Sequence, residues 1–178
     1  MTIRRLVVGT VDGRSVVLND GLVPRSHDYE HVPGFSTALV WGTTTSEQPS
    51  SGRDETISVS SSFVPGPGET RLEIVTFPPD SIFAHPDFSH QAAFAEQQKH
   101  LTGMVDHFDP ERPGMHSTPT VDYGVVLEGT IWLELDDGVI VKLEKHNVII
   151  QQGNIHAWRN QGDVPATLAF VLVGTNKQ

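Results

Sequence analysis

The sequence contains no cysteine. Disulfide bonds, thiolate metal ligands and thiol nucleophiles are therefore all excluded. Basic residues are also scarce: 12 Lys and Arg stand against 22 Asp and Glu, for a formal net charge of −10. The few cations are scattered and form no stripe, so no nucleic-acid partner is expected. No apolar run approaches the length needed to cross a bilayer. The opening MTIRRLVVGTVDGRS has neither the apolar core nor the small-residue cleavage site of a signal peptide. The expectation from these absences is a cytoplasmic protein with no membrane partner.

Long helical patterns are missing too, and turn formers are abundant: 16 Gly and 12 Pro in 178 residues. Many short strands are expected instead. RRLVVGTVDGRSVVLNDG reads as a hairpin turning at Asp12-Gly13, a dipeptide that tolerates the left-handed backbone of a tight turn. Strands are expected at 35–45 and from Thr70 to the Pro78-Pro79 stop. The Ser-, Thr-, Gly- and Pro-rich stretch 46–68 reads as a long loop. One helix is expected near 88–102, capped by Asp87 or Ser89 and presenting Phe94, Gln98 and Leu101 as its apolar face. From Gly114 onward strands recur every eight to twelve residues, at 115–127, 130–136, 139–143, 147–151, 156–160 and 166–173. IWLELDDGVIVKL alternates apolar and polar residues around a second hairpin signal, Asp137-Gly138. The expected architecture is all-β, a small antiparallel barrel or sandwich with extra strands in front, forming one domain over 1–178.

Within GMHSTPTVDYGVVLEG, strand alternation puts His116, Thr118, Thr120 and Asp122 on one face. The fragment QQGNIHAWRN supplies His156 after a turn at Gly153, on a strand that can return beside His116. Two imidazoles and a carboxylate on one face suit a divalent metal with open positions for substrate, water or oxygen. The same three groups suit acid–base chemistry in a metal-free pocket. Thr118, Thr120, Gln151 and Trp158 are candidates for the pocket wall or for supporting hydrogen bonds. Tyr123 faces away. Arg71 and Glu73 alternate on one strand and could reach into the barrel, with an exposed ion pair as the preferred reading. His85 lies in FPPDSIFAHP, a segment that could cover the barrel mouth.

The region 114–174 resembles a cupin domain. The first cupin motif, G-x5-H-x-H-x3,4-E-x6-G, aligns His116 and Thr118 with its two histidines and Asp122 with its glutamate, counted back from Gly129. In the second, G-x5-P-x-G-x2-H-x3-N, Gly153, His156 and Asn160 match, while Gln151 stands at the proline and the leading glycine is absent. The chain is also similar to a subgroup of small single-barrel cupins with M-H-x-T-x-x-x-D-Y-x-x-V-L-x-G followed by Q-x-G-x-x-H-A-W-x-N. The resemblance implies a jelly-roll barrel with an N-terminal strand extension. It also implies a divalent metal (Fe, Zn, Ni or Mn) at His116, His156 and Asp122, and no organic cofactor. Members that bind metal generally use three histidines and a carboxylate; Thr118 and the shorter Asp122 depart from that set.

Three functions follow from this reading. The first is a metal-dependent enzyme of the dioxygenase, isomerase, cyclase or decarboxylase type, acting on an aromatic, enol or carboxylate-bearing metabolite. The second is a metal-free enzyme in which His116 or His156 acts as general acid or base, oriented by Asp122. The third is a small-molecule-binding barrel without catalysis. The resemblance also implies a homodimer.

Overall fold

The computed structural model describes residues 2–45 and 61–176. Of the loop expected at 46–68, residues 46–60 lie outside that range. The chain opens with β1 (Arg4–Val11) and β2 (Arg14–Leu22), paired antiparallel. Asp12 (φ 50°) and Gly13 (φ 74°) both take the left-handed conformation, as a two-residue turn that matches strand twist requires. Next come β3 (Ser26–Asp28), β4 (Ser36–Thr43), β5 (Thr70–Phe77) and helix α1 (His90–His100). The remaining strands are β6 (Thr120–Glu128), β7 (Thr130–Glu134), β8 (Ile140–Glu144), β9 (Val148–Gln152), β10 (Ala157–Arg159) and β11 (Ala166–Gly174).

Apart from the β1–β2 hairpin, the strands among the described residues form two antiparallel sheets. The larger runs β3-β4-β5-β11-β6-β9 and the smaller β10-β7-β8. Their inner faces supply one core. Val75, Leu168, Phe170 and Leu172 come from the centre of the large sheet, Val126 and Ile149 from its far edge, and Ile131 and Leu133 from the small one. Gly129 links β6 to β7 with φ 77°, and a Cβ there would lie 2.6 Å from the Pro165 carbonyl oxygen. The chain can cross between sheets at that point because the residue has no side chain.

β4 is buried along nearly its whole length because both its faces are covered. Leu39 packs in a cluster with Tyr29, Phe63, Ala93 and Leu101 on the helix side. Ala38 and Val40 pack with Val23, and with Ile3, Leu72 and Ile74, on the other. Ser89 caps α1, its hydroxyl accepting from the Ala92 N–H at 3.2 Å. The helix buries Ala93 and ends on buried Leu101, while Phe94 is exposed. The expected face of Phe94, Gln98 and Leu101 is thus corrected to Ala93 and Leu101. The helix is tied down at Glu96, which accepts from His27 Nε2 (2.8 Å) and from the Glu30 and His31 N–H groups.

Asn160 locks the end of β10. It is buried, and its Nδ2 donates to the carbonyls of Phe77 (3.0 Å) and Val164 (2.8 Å) while its Oδ1 accepts from Gly162 N–H. Removing this amide strands three backbone groups, each costing about 1–3 kcal/mol when buried without a partner. Asn160→Ala should therefore lower unfolding stability by about 3 kcal/mol in urea titrations. An unchanged midpoint would show that these bonds do not hold the turn.

Candidate functional site

The strand expected from residue 115 begins only at Thr120. Residues 115–119 are irregular, yet His116 sits directly opposite His156 in an isolated antiparallel bridge. His116 N–H donates to the His156 carbonyl (2.9 Å) and His156 N–H donates back to the His116 carbonyl (3.0 Å). Residues opposed in this way project their side chains to the same side. The two imidazoles consequently stand 4.3 Å apart, centroid to centroid. Gly153, at φ 69°, turns the chain from β9 toward His156.

Both imidazoles line a cavity of about 100 Å³ between the sheets. Thr118, Asp122, Gln151 and Trp158 line it too, among Phe35, Phe77, Phe108 and Phe170. Trp158 packs against Phe170 (5.4 Å) and stands edge-on to His156 (5.8 Å). Thr120 is buried but is not part of the lining. Its hydroxyl is 2.6 Å from that of Thr118, and it hydrogen-bonds Asp122. Tyr123 faces outward and is exposed. His85 is also exposed, near Asp87, and lies away from the cavity lining.

One cavity group departs from expectation. Arg71 and Glu73 alternate as read, but their shared face of β5 points inward, and both are buried. They do not form an exposed ion pair. Arg71 Nη2 bonds Glu69 (2.8 Å), and the rest of its guanidinium serves the carbonyls of Ser62, Thr70 and Thr43. Glu73 lines the cavity, and its Oε1 makes no hydrogen bond among the described residues. Alternation groups Glu73 with Val75 on one face of β5, but it does not say which face of the strand lies inside.

Protonation follows from burial. Desolvation disfavours a charge in an apolar cavity, raising carboxyl and lowering imidazole pKa values. Burial pushes Asp122 up to about 6, with the Thr120 hydrogen bond opposing. Glu73 goes well above the usual carboxylate range, by burial first and by the neighbouring Asp122 second. Burial lowers His116, and it lowers His156 to about 4 with help from His116. Both imidazoles are thus neutral near pH 7. His116 Nδ1 lies 3.0 Å from the Gly114 carbonyl, and His156 Nδ1 lies 3.0 Å from that of Asn154. A carbonyl only accepts, so each Nδ1 carries the proton and each Nε2 keeps a lone pair.

That tautomer is the one a metal-ligating histidine needs, with its second nitrogen fixed by a backbone carbonyl. The donor set is shorter than the resemblance implies, however. His116 and His156 are brought together, but among the described residues no three His, Asp or Glu side chains converge as a metal-holding group. Asp122 lines the same cavity as the two imidazoles. The pair alone falls short of the three protein ligands usual in catalytic sites.

No protein-family model matches the chain. Curated fungal proteins match it in part. Phomopsin biosynthesis cluster protein D of Diaporthe leptostromiformis is 48% identical over 63 residues, 33% of each chain. Oryzines biosynthesis cluster protein J of Aspergillus oryzae is 41% identical over 85 residues, 40% of this chain and 48% of that one. The cupin-domain-containing oxidoreductase virC of Hypocrea virens is 34% identical over 73 residues, 39% of this chain and 38% of that one. The chain thus matches a third to about half of the length of these relatives. Among solved structures, an uncharacterized conserved protein with a double-stranded β-helix domain from Klebsiella pneumoniae aligns with a TM-score of 0.38. The identity is 15%, over 61% of this chain and 70% of that one. The two-sheet architecture and the two motif histidines meeting in its cavity agree with the cupin resemblance, and part of the chain is similar to a relative named for its cupin domain.

The two titrating groups act in opposite directions on stability. A raised carboxyl pKa means that Asp122 contributes stability fully present below about pH 4 and lost as pH rises through about 6. A lowered imidazole pKa means that the contribution of His156 is present above about pH 6.5 and lost as pH falls through about 4. Asp122→Asn should therefore stabilise chelator-treated protein at pH 7.5 by about 2–3 kcal/mol and leave it unchanged at pH 4. Urea unfolding at both pH values checks this; an equal effect at both would mean that Asp122 is not held in a desolvated site.

Proposed function

We propose that the chain is a small-molecule enzyme that takes a compact, largely apolar metabolite into its barrel and moves a proton beside a carbonyl or enol group. The observation that carries this reading is the pairing of two neutral, tautomer-fixed imidazoles with a carboxyl that titrates near neutrality in one cavity. Asp122, ionised above about pH 6, is the base that accepts a carbon-bound proton. The oxygen gains its proton from Nε2 of His156 or His116 in the imidazolium form, and the neutral ring, its Nε2 lone pair free, takes that proton back when the enol returns to the ketone. The aromatic walls keep water from competing for that proton. The cluster membership of the relatives supports a role in making a specialised metabolite.

The test needs no knowledge of the natural substrate. Proton–deuterium exchange at the α-carbon of 2-indanone, followed by NMR in D2O, reports the proton transfer directly. The wild-type rate should exceed that of buffer and fall about 100-fold or more in Asp122→Asn and in His156→Ala, the size typical of a lost general base. A wild-type rate equal to that of buffer sinks the reading.

A second reading is favoured by the Nε2 lone pairs and by the relatives named oxidoreductases. His116 and His156 would hold a divalent ion, which when bound supplies Lewis-acid or redox chemistry to a substrate oxygen. Loading with iron, zinc, nickel or manganese followed by elemental analysis should then find about one ion per chain, lost in His156→Ala. No retained ion in either protein leaves the first reading alone.

We also propose that two copies pair through the outer face of the large sheet. Val171, Tyr123 and Ile150 stand opposite one another on three adjacent strands. All three are exposed, Tyr123 at 48% and Ile150 at 52%, and with Val148 they make a continuous apolar row of a kind that usually marks an interface. Light scattering should give a dimer mass, and Tyr123→Lys with Ile150→Lys should give a monomer.

A further inference from the structure

Beside Asp122, the inner face of the large sheet carries two buried polar groups that the proton-transfer scheme does not use, Glu73 and Gln151. Glu73 on β5, Asp122 on β6 and Gln151 on β9 are 3%, 5% and 4% exposed. Asp122 and Gln151 are register partners across β6 and β9. Glu73 lies two strands away, its partner Phe170 and the Asp122 partner Leu172 sharing β11 between them. All five residues line the cavity. Glu73 Oε1, Asp122 Oδ1 and Gln151 Nε2 make no hydrogen bond among the described residues. An interior rarely tolerates three such atoms side by side, because each costs about 1–3 kcal/mol.

We propose that Glu73, Asp122 and Gln151 form a recognition wall for a neutral, planar head group in which a carbonyl stands beside an N–H or O–H, as in a lactam, an amide or a carboxylic acid. Gln151 Nε2 donates to the carbonyl, and the carboxyl oxygens accept from the neighbouring N–H or O–H. Phe170, between the strands that carry Glu73 and Asp122, and Trp158 pack against the ring that bears the head group. A cation fits less well. The Gln151 N–H would face it without an acceptor, and the Arg71 and Arg25 guanidinium groups already direct positive potential at Glu73. This inference rests on the reading that the cavity takes a small organic molecule, and on neither chemistry at the imidazoles.

Three probes of one shape separate the contributions. Oxindole carries the donor and the acceptor, 1-indanone the acceptor alone, and indane neither. Binding to the full chain is followed by calorimetry or by Trp158 fluorescence. Oxindole should bind at least about tenfold more tightly than either analogue, the size of effect that follows when buried polar groups are left unpaired. Glu73→Leu and Gln151→Leu should each weaken oxindole about fivefold or more without changing indane. Glu73→Gln, which keeps a neutral donor and acceptor, should stay within about threefold of wild type. Thermal melts confirm folding; Glu73→Leu should melt no lower, since it removes an unpaired buried carboxyl.

Oxindole bound no better than indane, a preference intact in both leucine variants, or no binding at millimolar oxindole overturns the wall. So does phenethylamine binding where oxindole does not, which would make this a cation site. The two readings fail separately. α-Proton exchange that needs His156, with no oxindole preference, removes the wall alone. An oxindole preference with no exchange in wild type removes the proton-transfer scheme alone.

Discussion

The site depends on two hydrogen bonds between residues 116 and 156. Neither His116 nor His156 lies in a regular strand, so without their mutual bridge no ladder would hold the segments together. The bridge sets the register of 115–119 against the chain entering β10, and so directs two imidazoles to one side. A slip of one residue would turn one of them outward, because side chains alternate along extended backbone. The carbonyls of Gly114 and Asn154, each two residues before its histidine, then fix the tautomers. Backbone geometry thus sets both the position and the proton of each ring.

The second constraint is electrostatic. The barrel core is built from Val, Ile, Leu and Phe, and four ionisable groups on its inner wall must exist inside it. They meet the cost by giving up charge: Glu73 holds its proton, His116 and His156 lose theirs, and Asp122 stands between. Thr120 supports Asp122 from a position outside the cavity lining, and Thr118 fills the place where the family pattern has a second histidine. A cavity arranged in this way sacrifices stability for poised groups, a pattern common at functional sites.

Much of the fold was legible from local chemistry. Asp12-Gly13 and Asp137-Gly138 turn where expected, because few residue pairs tolerate two successive positive φ values. The strands after Gly114 fall within a few residues of their apolar alternation. His116, Asp122 and His156 were legible as a set because motif spacing survives even where the strand does not, as at 115–119. The helix face was misread because Phe94 is the most apolar residue on α1, yet the small Ala93 is what fits against Tyr29, Leu39 and Phe63.

By itself the sequence determined the strand order's local grammar, the turns and which histidines could meet. These are properties of neighbouring residues, and alternation or a left-handed turn is decided within a few positions. Only the tertiary structure decided which face of β5 is inside. Leu72 and Ile74 look like the core face and Arg71 and Glu73 like the solvent face, a pattern that normally sends the charges outward. Here both faces are covered: the segments around Ile3 and Val23 take Leu72 and Ile74, leaving the inner face free to carry Glu73 into the cavity. Whether a charged residue is buried depends on what lies beyond its own strand, and no local pattern contains that information.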